Sequence, residues 1–370
     1  VARLRPMQHY CAKGINMRKK RKALRPFALD YAILLGGALV MGAVLAGFAM
    51  ATDKAQALFF TAFAREKLLP LVLTPTAFAV SVWLVLRYFP AASGSGVPQA
   101  LAAQQLTDKK SHAYLLGPRV IVGKMLLVVL VLLCGASLGR EGPCVQLGAG
   151  IMLLFSRYAR LPDRRLFITA GGAAGFAAAF NAPLAGIAFL VEEMARGMRY
   201  KERLTILSII LLAAIGATGV MGDYDYFGHV RPGLTLTGYW WPIIVIGLIC
   251  GCVGAVFNLM ITKGRKHVGK ILNGFDKKQP IAFAAGCGFL VAALGIATGG
   301  VSFGSGYEIG HGLLHGTAEP AIWHPFAKMA ATILSVISGV PGGTIAPALS
   351  IGATVGGAAS YLFPGTTVSA

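Results

Sequence analysis

The chain has 370 residues, 56% hydrophobic and 13% charged, and its mean hydropathy of +0.67 excludes an ordinary water-soluble domain. Its formal net charge of +20 raises nucleic-acid binding as a function. The basic residues, however, lie in an N-terminal arm and in short connections between apolar segments, with no aromatic-interleaved basic fold, so no nucleic-acid partner is expected.

The arm, residues 1–27, ends in Arg18-Lys19-Lys20-Arg21-Lys22 just before the first apolar run. It is too polar for a secretory signal peptide, and an excess of Lys and Arg beside a span marks the cytoplasmic side, so the N-terminus is expected inside. Uncharged stretches follow at Tyr31–Ala51, Leu68–Leu86, Leu166–Val191, Leu204–Gly222, Gly233–Thr262 and Gln279–Tyr307. Each is close to or above the roughly 20 residues that cross a bilayer. From Met329 to Ala370 no side chain is charged, enough for two segments broken near Pro341-Gly342-Gly343. Gly and Pro inside several stretches predict discontinuous helices.

A glycine-to-proline signature occurs three times: Gly94-Ser95-Gly96-Val97-Pro98, Gly139-Arg140-Glu141-Gly142-Pro143 and Gly343-Thr344-Ile345-Ala346-Pro347. Proline suits the first turn of a helix, where the donor it lacks has no partner anyway, and the glycines let backbone bend closely around a ligand. Three helix N-termini are therefore expected at membrane depth. Their free N–H groups and positive dipole ends attract anions without a buried cation. The signatures also belong to a weak repeat. Gly123-Lys124-Met125 leads to the second signature and then Leu147-Gly148-Ala149; Ala327-Lys328-Met329 leads likewise to the third and then Ile351-Gly352-Ala353. Ser93-Gly94-Ser95-Gly96 has its partner in Phe303-Gly304-Ser305-Gly306. Duplication on this scale is typical of transporters with a binding site between two repeats.

Six cysteines form no disulfide or metal pattern; Cys134, Cys144, Cys250, Cys252 and Cys287 read as small core residues, and Cys11 lies in the arm. His311 and His315 could share a helical face, but without a third ligand they read as a polar loop, and no metal is expected. Asp223 and Asp225, among Tyr224, Tyr226 and Gly228, read as an external loop. An intramembrane hydrolase would need Ser95 or Ser305 oriented by His311, and nothing in the spacing supplies that pair.

Residues 94–98, 139–143, 180–193 and 343–347, in this order, make the chain similar to the CLC family of chloride channels and chloride/proton antiporters, over about residues 28–370. The resemblance implies an all-α polytopic membrane protein. It would hold two inverted-topology repeats of tilted, discontinuous helices and form a homodimer with one pore per protomer. It further implies a first repeat at 28–222, a connecting loop at 223–232 and a second repeat at 233–370 that lacks its last helices. In the family a tyrosine near the C-terminus donates to the central anion; Tyr361 falls too early to be it. A chain of these 370 residues is thus expected to couple weakly and to dimerise poorly.

The same resemblance implies anion binding by Ser95, Gly96, Gly142, Ile345 and Ala346, framed by Gly94, Pro98, Gly139, Pro143, Gly343 and Pro347. Two positions depart from the family, which usually has Phe where Ile345 stands and often Glu where Gln99 stands. Glu141 resembles the gating glutamate: ionised, it occupies an anion site as a tethered mimic; protonated, it leaves and admits the ion. Arg140 would make the entrance electropositive. Glu193 resembles the internal proton-transfer glutamate of the antiporters, with Glu192 beside it and Arg196, Arg199 and Lys201 following. Its presence favours secondary exchange of chloride or a similar small anion for protons across the bilayer, most consistent with a bacterial inner membrane. A passive, proton-gated channel, or a non-transporting structural subunit, are the alternatives, and Ser95 argues against a fluoride exporter. No enzyme activity and no cofactor beyond the transported anion is expected.

Overall fold

The structure is a computed structural model that describes residues 17–158, 164–194, 200–222, 226, 228, 240–272, 278–319 and 321–360. Arg196, Arg199, Asp223, Tyr224, Asp225 and Tyr361 lie outside the described residues, as do Cys11 and the side chain of Lys201. The first part of the chain forms α1 (Met17–Arg65), α2 (Pro70–Arg87), α3 (Val97–Gln105), α4 (Lys109–Leu116), α5 (Pro118–Leu133), α6 (Glu141–Phe155), α7 (Arg164–Phe180), α8 (Pro183–Phe189) and α9 (Tyr200–Met221). The remainder forms α10 (Trp240–Leu272), α11 (Lys278–Ala297), α12 (Tyr307–Leu314), α13 (His324–Ile337) and α14 (Ile345–Ser360). Among the described residues six helical stretches are long and apolar enough to span a membrane, while 141–155, 324–337 and 345–359 are apolar but shorter. The protein is an integral membrane protein with no strand among the described residues.

The breaks fall where proline and glycine demand them. The uncharged run from Leu166 ends its first helix at Phe180, turns at Asn181 with φ 51°, and restarts at Pro183. A non-glycine residue in the left-handed region is uncommon, and Asn is among the few that tolerate it; here Thr218 of α9 donates to the Asn181 carboxamide at 2.9 Å and holds the turn from outside. The run after Met329 breaks as expected, α13 ending at Ile337 and α14 starting at Ile345.

The repeat seen in sequence is physical. Lys124 and Lys328, Gly139 and Gly343, and the helix starts Glu141 and Ile345 are each 204 residues apart. Lys124 is fully buried and its ammonium donates to the carbonyls of Ala92 and Gly94. Lys328, also fully buried, donates to Ser302 (3.2 Å), Phe303 (2.9 Å) and Gly304 (2.7 Å). Equivalent lysines thus clamp equivalent Gly-Ser-Gly loops, satisfying carbonyls that have left their helices. Each loop ends in a left-handed glycine before its helix, Gly96 at φ 103° and Gly306 at φ 81°, a conformation a Cβ would strain.

The halves meet at an antiparallel pair between equivalent residues: Gly139 N–H donates to Gly343 O (2.8 Å) and Gly343 N–H to Gly139 O (2.7 Å). A local two-fold axis passes between residues that bond reciprocally to their own repeat mates, as inverted repeats require. Small residues let the helices behind this crossing close in. A Cβ added at Gly148 or Gly175 would run into the α7 or α6 backbone, so α6 and α7 touch directly. Phe59 and Phe63 of α1 grip Phe303, with ring centroids 4.9 and 5.4 Å away, joining the first helix to the second repeat.

Of the cysteines, Cys134, Cys144 and Cys287 are buried; Cys252 is exposed on α10, a correction to its reading as a core residue. His311 also departs from expectation, since it sits within α12 rather than in a loop, its ring 4.2 Å from that of His315. No cluster of three metal-ligating side chains occurs among the described residues.

Candidate functional site

Each glycine-to-proline signature opens a helix: Pro98 follows the first residue of α3, and Pro143 and Pro347 are the third residues of α6 and α14. The three starts converge. A Cβ at Gly142 would lie 3.0 Å from the Ser95 carbonyl oxygen and 3.3 Å from both Ser95 Cβ and Gly343 Cα. One at Gly343 would lie 2.9 Å from the Gly142 nitrogen. Gly342 N–H donates to Gly94 O at 3.1 Å, so the Ser95 loop is tied to the second repeat. The first intrahelical donors are Ala100 in α3, Cys144 in α6 and Ala348 in α14, which leaves the amides before them without an intrahelical acceptor.

Ser95 Oγ accepts from Val97 N–H at 3.3 Å, capping its own helix. This spends one acceptor lone pair and leaves the O–H proton for an anion, so capping and coordination are compatible. Gln99 explains its own departure from glutamate, because its amide donates to Ser93 O at 2.6 Å, a bond a carboxylate could not make. Arg265 of α10 was not identified from sequence. A Cβ on Gly94 would meet its guanidinium at 3.0 Å, which places an exposed cation against the Ser95 loop. Its only sequence signal is the basic cluster from Lys263 to Lys266 that closes an apolar run.

Glu141 is 1% exposed at the start of α6. Its Oε1 accepts from the Tyr226 hydroxyl at 3.1 Å. Its Oε2 is buried beside Gly139, facing Ala346 at the N-terminus of α14, with no hydrogen-bond partner among the described residues. Carboxylate and helix start are thus opposed as an anion would be. On its other flank is a cavity of about 700 Å³ bordered by Asp53, Arg140, Tyr307 and Glu308. Arg140 does not make this entrance electropositive as expected. Its guanidinium pairs with Asp53 and donates to Ala49 O (3.0 Å) and Thr52 Oγ1 (3.3 Å), while Asp53, Glu141 and Glu308 outnumber it on the wall.

Ile345 borders a separate space of about 420 Å³ with Phe180, Ala182 and Leu349, while Ala346 is buried against the Glu141 side. Glu192 and Glu193 are exposed on a short π-helical turn, Leu190–Met194, that continues α8 away from the crossing. The structure therefore joins Ser95, Gly96, Gly142 and Gly343 in one centre and leaves Glu193 outside it. Tyr226, noted in the sequence only as a loop neighbour, is a second contact of this region, after Arg265, that sequence patterning missed.

Residues 77–369 match the family described as Voltage gated chloride channel. The H(+)/Cl(-) exchange transporter ClcA of Yersinia pestis bv. Antiqua (strain Angola) is 30% identical over 354 residues, covering 88% of this chain and 70% of that protein. A slow cyanobacterial Cl-/H+ antiporter has the same fold, with a TM-score of 0.74 and 23% identity over 91% of this chain and 81% of its own. A CLC-type fluoride/proton antiporter does also, at 0.76 and 23%, over 91% and 82%.

Proposed function

Since this chain belongs to the voltage gated chloride channel family, we propose that it is a secondary transporter that exchanges chloride for protons across the membrane. The observation that carries this reading is the buried Glu141 carboxylate set between two anion-attracting helix starts, beside a centre where Ser95 retains a free O–H. An acid at membrane depth is expensive, and one retained there by default serves proton or ion movement. The passive channel and the non-transporting subunit are not favoured by these likenesses.

In this mechanism the anion enters past Arg265, whose exposed guanidinium draws chloride toward the Ser95 loop. It then rests on Ser95 and on the backbone amides at Gly142, Ile345 and Ala346. Glu141 blocks the way onward while ionised, repelling and replacing the anion. A proton arriving from the 700 Å³ cavity removes the charge, and the neutral side chain withdraws. The acidic lining of that cavity favours proton over anion arrival, which fits a slow exchange rather than an open pore. Glu193 serves as the proton entry on the opposite side. Arg265 stands against the Ser95 loop, whereas Tyr226 borders the cavity on the other flank of Glu141, and we take these as the two mouths of the path. With the basic arm cytoplasmic, the cavity is external and Arg265 internal. The working unit is a homodimer in a bacterial inner membrane, each copy with its own pore.

The test is flux in liposomes, following chloride and pH together. A chloride gradient should drive proton uptake against the proton gradient; chloride movement with no accompanying proton movement would reject exchange. Glu193→Gln should abolish the proton arm and leave chloride binding intact. An unchanged ratio of chloride to protons in that variant would reduce Glu193 to an interfacial side chain.

A further inference from the structure

We infer that Tyr226 is the latch that holds Glu141 in its closed position, a positioning residue contributed by the loop that joins the two repeats. The inference rests on the gating role proposed for Glu141.

Three independent observations support it. The Tyr226 hydroxyl donates directly to Glu141 Oε1 at 3.1 Å. Its ring is held by one aromatic from each repeat, Phe180 of α7 at 5.0 Å and Tyr307 of α12 at 5.3 Å, both edge-on. Finally, Tyr226 borders both cavities, so the residue that bonds the gate is also the partition between the 700 Å³ space and the 420 Å³ space beside Ile345. Movement of this one side chain would therefore release the carboxylate and join the two spaces.

The chemistry gives the latch a direction. A phenol donating to a carboxylate favours the ionised, blocking form, because the protonated acid is a poorer acceptor and no longer carries the charge that strengthens the bond. The hydroxyl therefore opposes protonation and keeps the gate shut until the proton concentration is higher. Other charged or titratable groups border the same space: Arg140 paired with Asp53 of α1, and Tyr307 and Glu308 of α12. The His311 ring is tilted against Tyr307 with centroids 5.7 Å apart, and His311 and His315 lie beside Gly228, two residues from the latch. All of them are retained in the variants below, which isolates the hydroxyl.

The experiment is chloride efflux from liposomes across acidic to neutral pH, using the full chain as wild type, Tyr226→Phe, Glu141→Gln and the double variant. Tyr226→Phe keeps the ring and its packing. A hydrogen bond to a charged acceptor is of a size that moves a protonation midpoint by about one to two pH units. The midpoint of the efflux profile should therefore move upward by that amount, with efflux near neutrality rising roughly tenfold or more. Tyr226→Met, which loses both hydroxyl and ring, should move it in the same direction. In Glu141→Gln the added Tyr226→Phe should change nothing, since there is no carboxylate left to hold. An unmoved midpoint in both single Tyr226 variants overturns the latch. So does a Tyr226→Phe effect that persists undiminished beside Glu141→Gln. If Glu141→Gln alone keeps a normal pH profile, the gating role of Glu141 fails first, and the two failures are distinguished.

Discussion

Glu141→Gln is expected to leave chloride moving while abolishing both its pH dependence and its coupling to protons. The amide is nearly isosteric with the protonated acid and carries no charge, so it mimics the state in which the gate has withdrawn. Wild-type flux should fall as pH rises through the Glu141 midpoint, because the ionised carboxylate is the blocking form; below the midpoint the proton is bound and the path is open. On the alkaline limb one titrating group allows at most about tenfold change per pH unit. In the variant this slope should be flat. Proton uptake driven by a chloride gradient should vanish, because a carboxamide cannot carry a proton at this position. Arg140 keeps its partner Asp53 in the variant, and the Gly139–Gly343 pair is backbone only, so the fold should be retained. Simultaneous chloride and pH electrodes on reconstituted vesicles decide it: persistent uphill proton movement would remove Glu141 from the proton path.

The second large effect is expected at the buried lysines, where the two repeats can be played against each other. Lys124→Met takes the donor away from the carbonyls of Ala92 and Gly94, directly behind Ser95. A buried carbonyl left without a donor costs about 1–3 kcal/mol, partly offset because an ammonium no longer has to be buried. Gly94 O keeps Gly342 N–H, so the loop loosens rather than detaches. We expect a stability loss of about 1–3 kcal/mol and chloride affinity weakened by roughly tenfold or more, the equivalent of about 1.4 kcal/mol. Lys328→Met strips three carbonyls of their donor and should cost at least as much stability. Its loop is a poorer anion cradle, because Ser305 N–H already donates to Gln56 Oε1 at 2.7 Å, so chloride affinity should change little. Thermal unfolding in detergent and chloride titration calorimetry separate the two. Equal losses of chloride affinity in both variants would mean that the clamps act on the whole scaffold and not on the Ser95 loop.

Much of this was legible in the sequence for local reasons. Hydropathy alone made the chain a membrane protein, because several uncharged runs of about 20 residues in one chain exceed what a soluble core of this size buries. Glycine and proline fixed the helix break before Ile345, near Pro341-Gly342-Gly343, since ring closure and a missing Cβ act within a residue or two. The matched Lys124 and Lys328 marked the repeat, and an acid within an anion-attracting signature singled out Glu141. None of these readings needed a distant contact.

What the tertiary structure decided are the pairings across long stretches of chain, on which composition, periodicity and propensity are silent. Asp53 neutralises Arg140 from 87 residues away, reversing the electropositive entrance that Arg140 alone had promised. Tyr226 reaches Glu141 across 85 residues from a segment that in sequence is only polar loop, a pairing that no local signal announces. Arg265 reaches Gly94 only because α10 returns its basic end to the Ser95 loop. A helix start attracts an anion wherever it stands; which anion, carboxylate or hydroxyl it meets depends on how the two repeats are packed against each other.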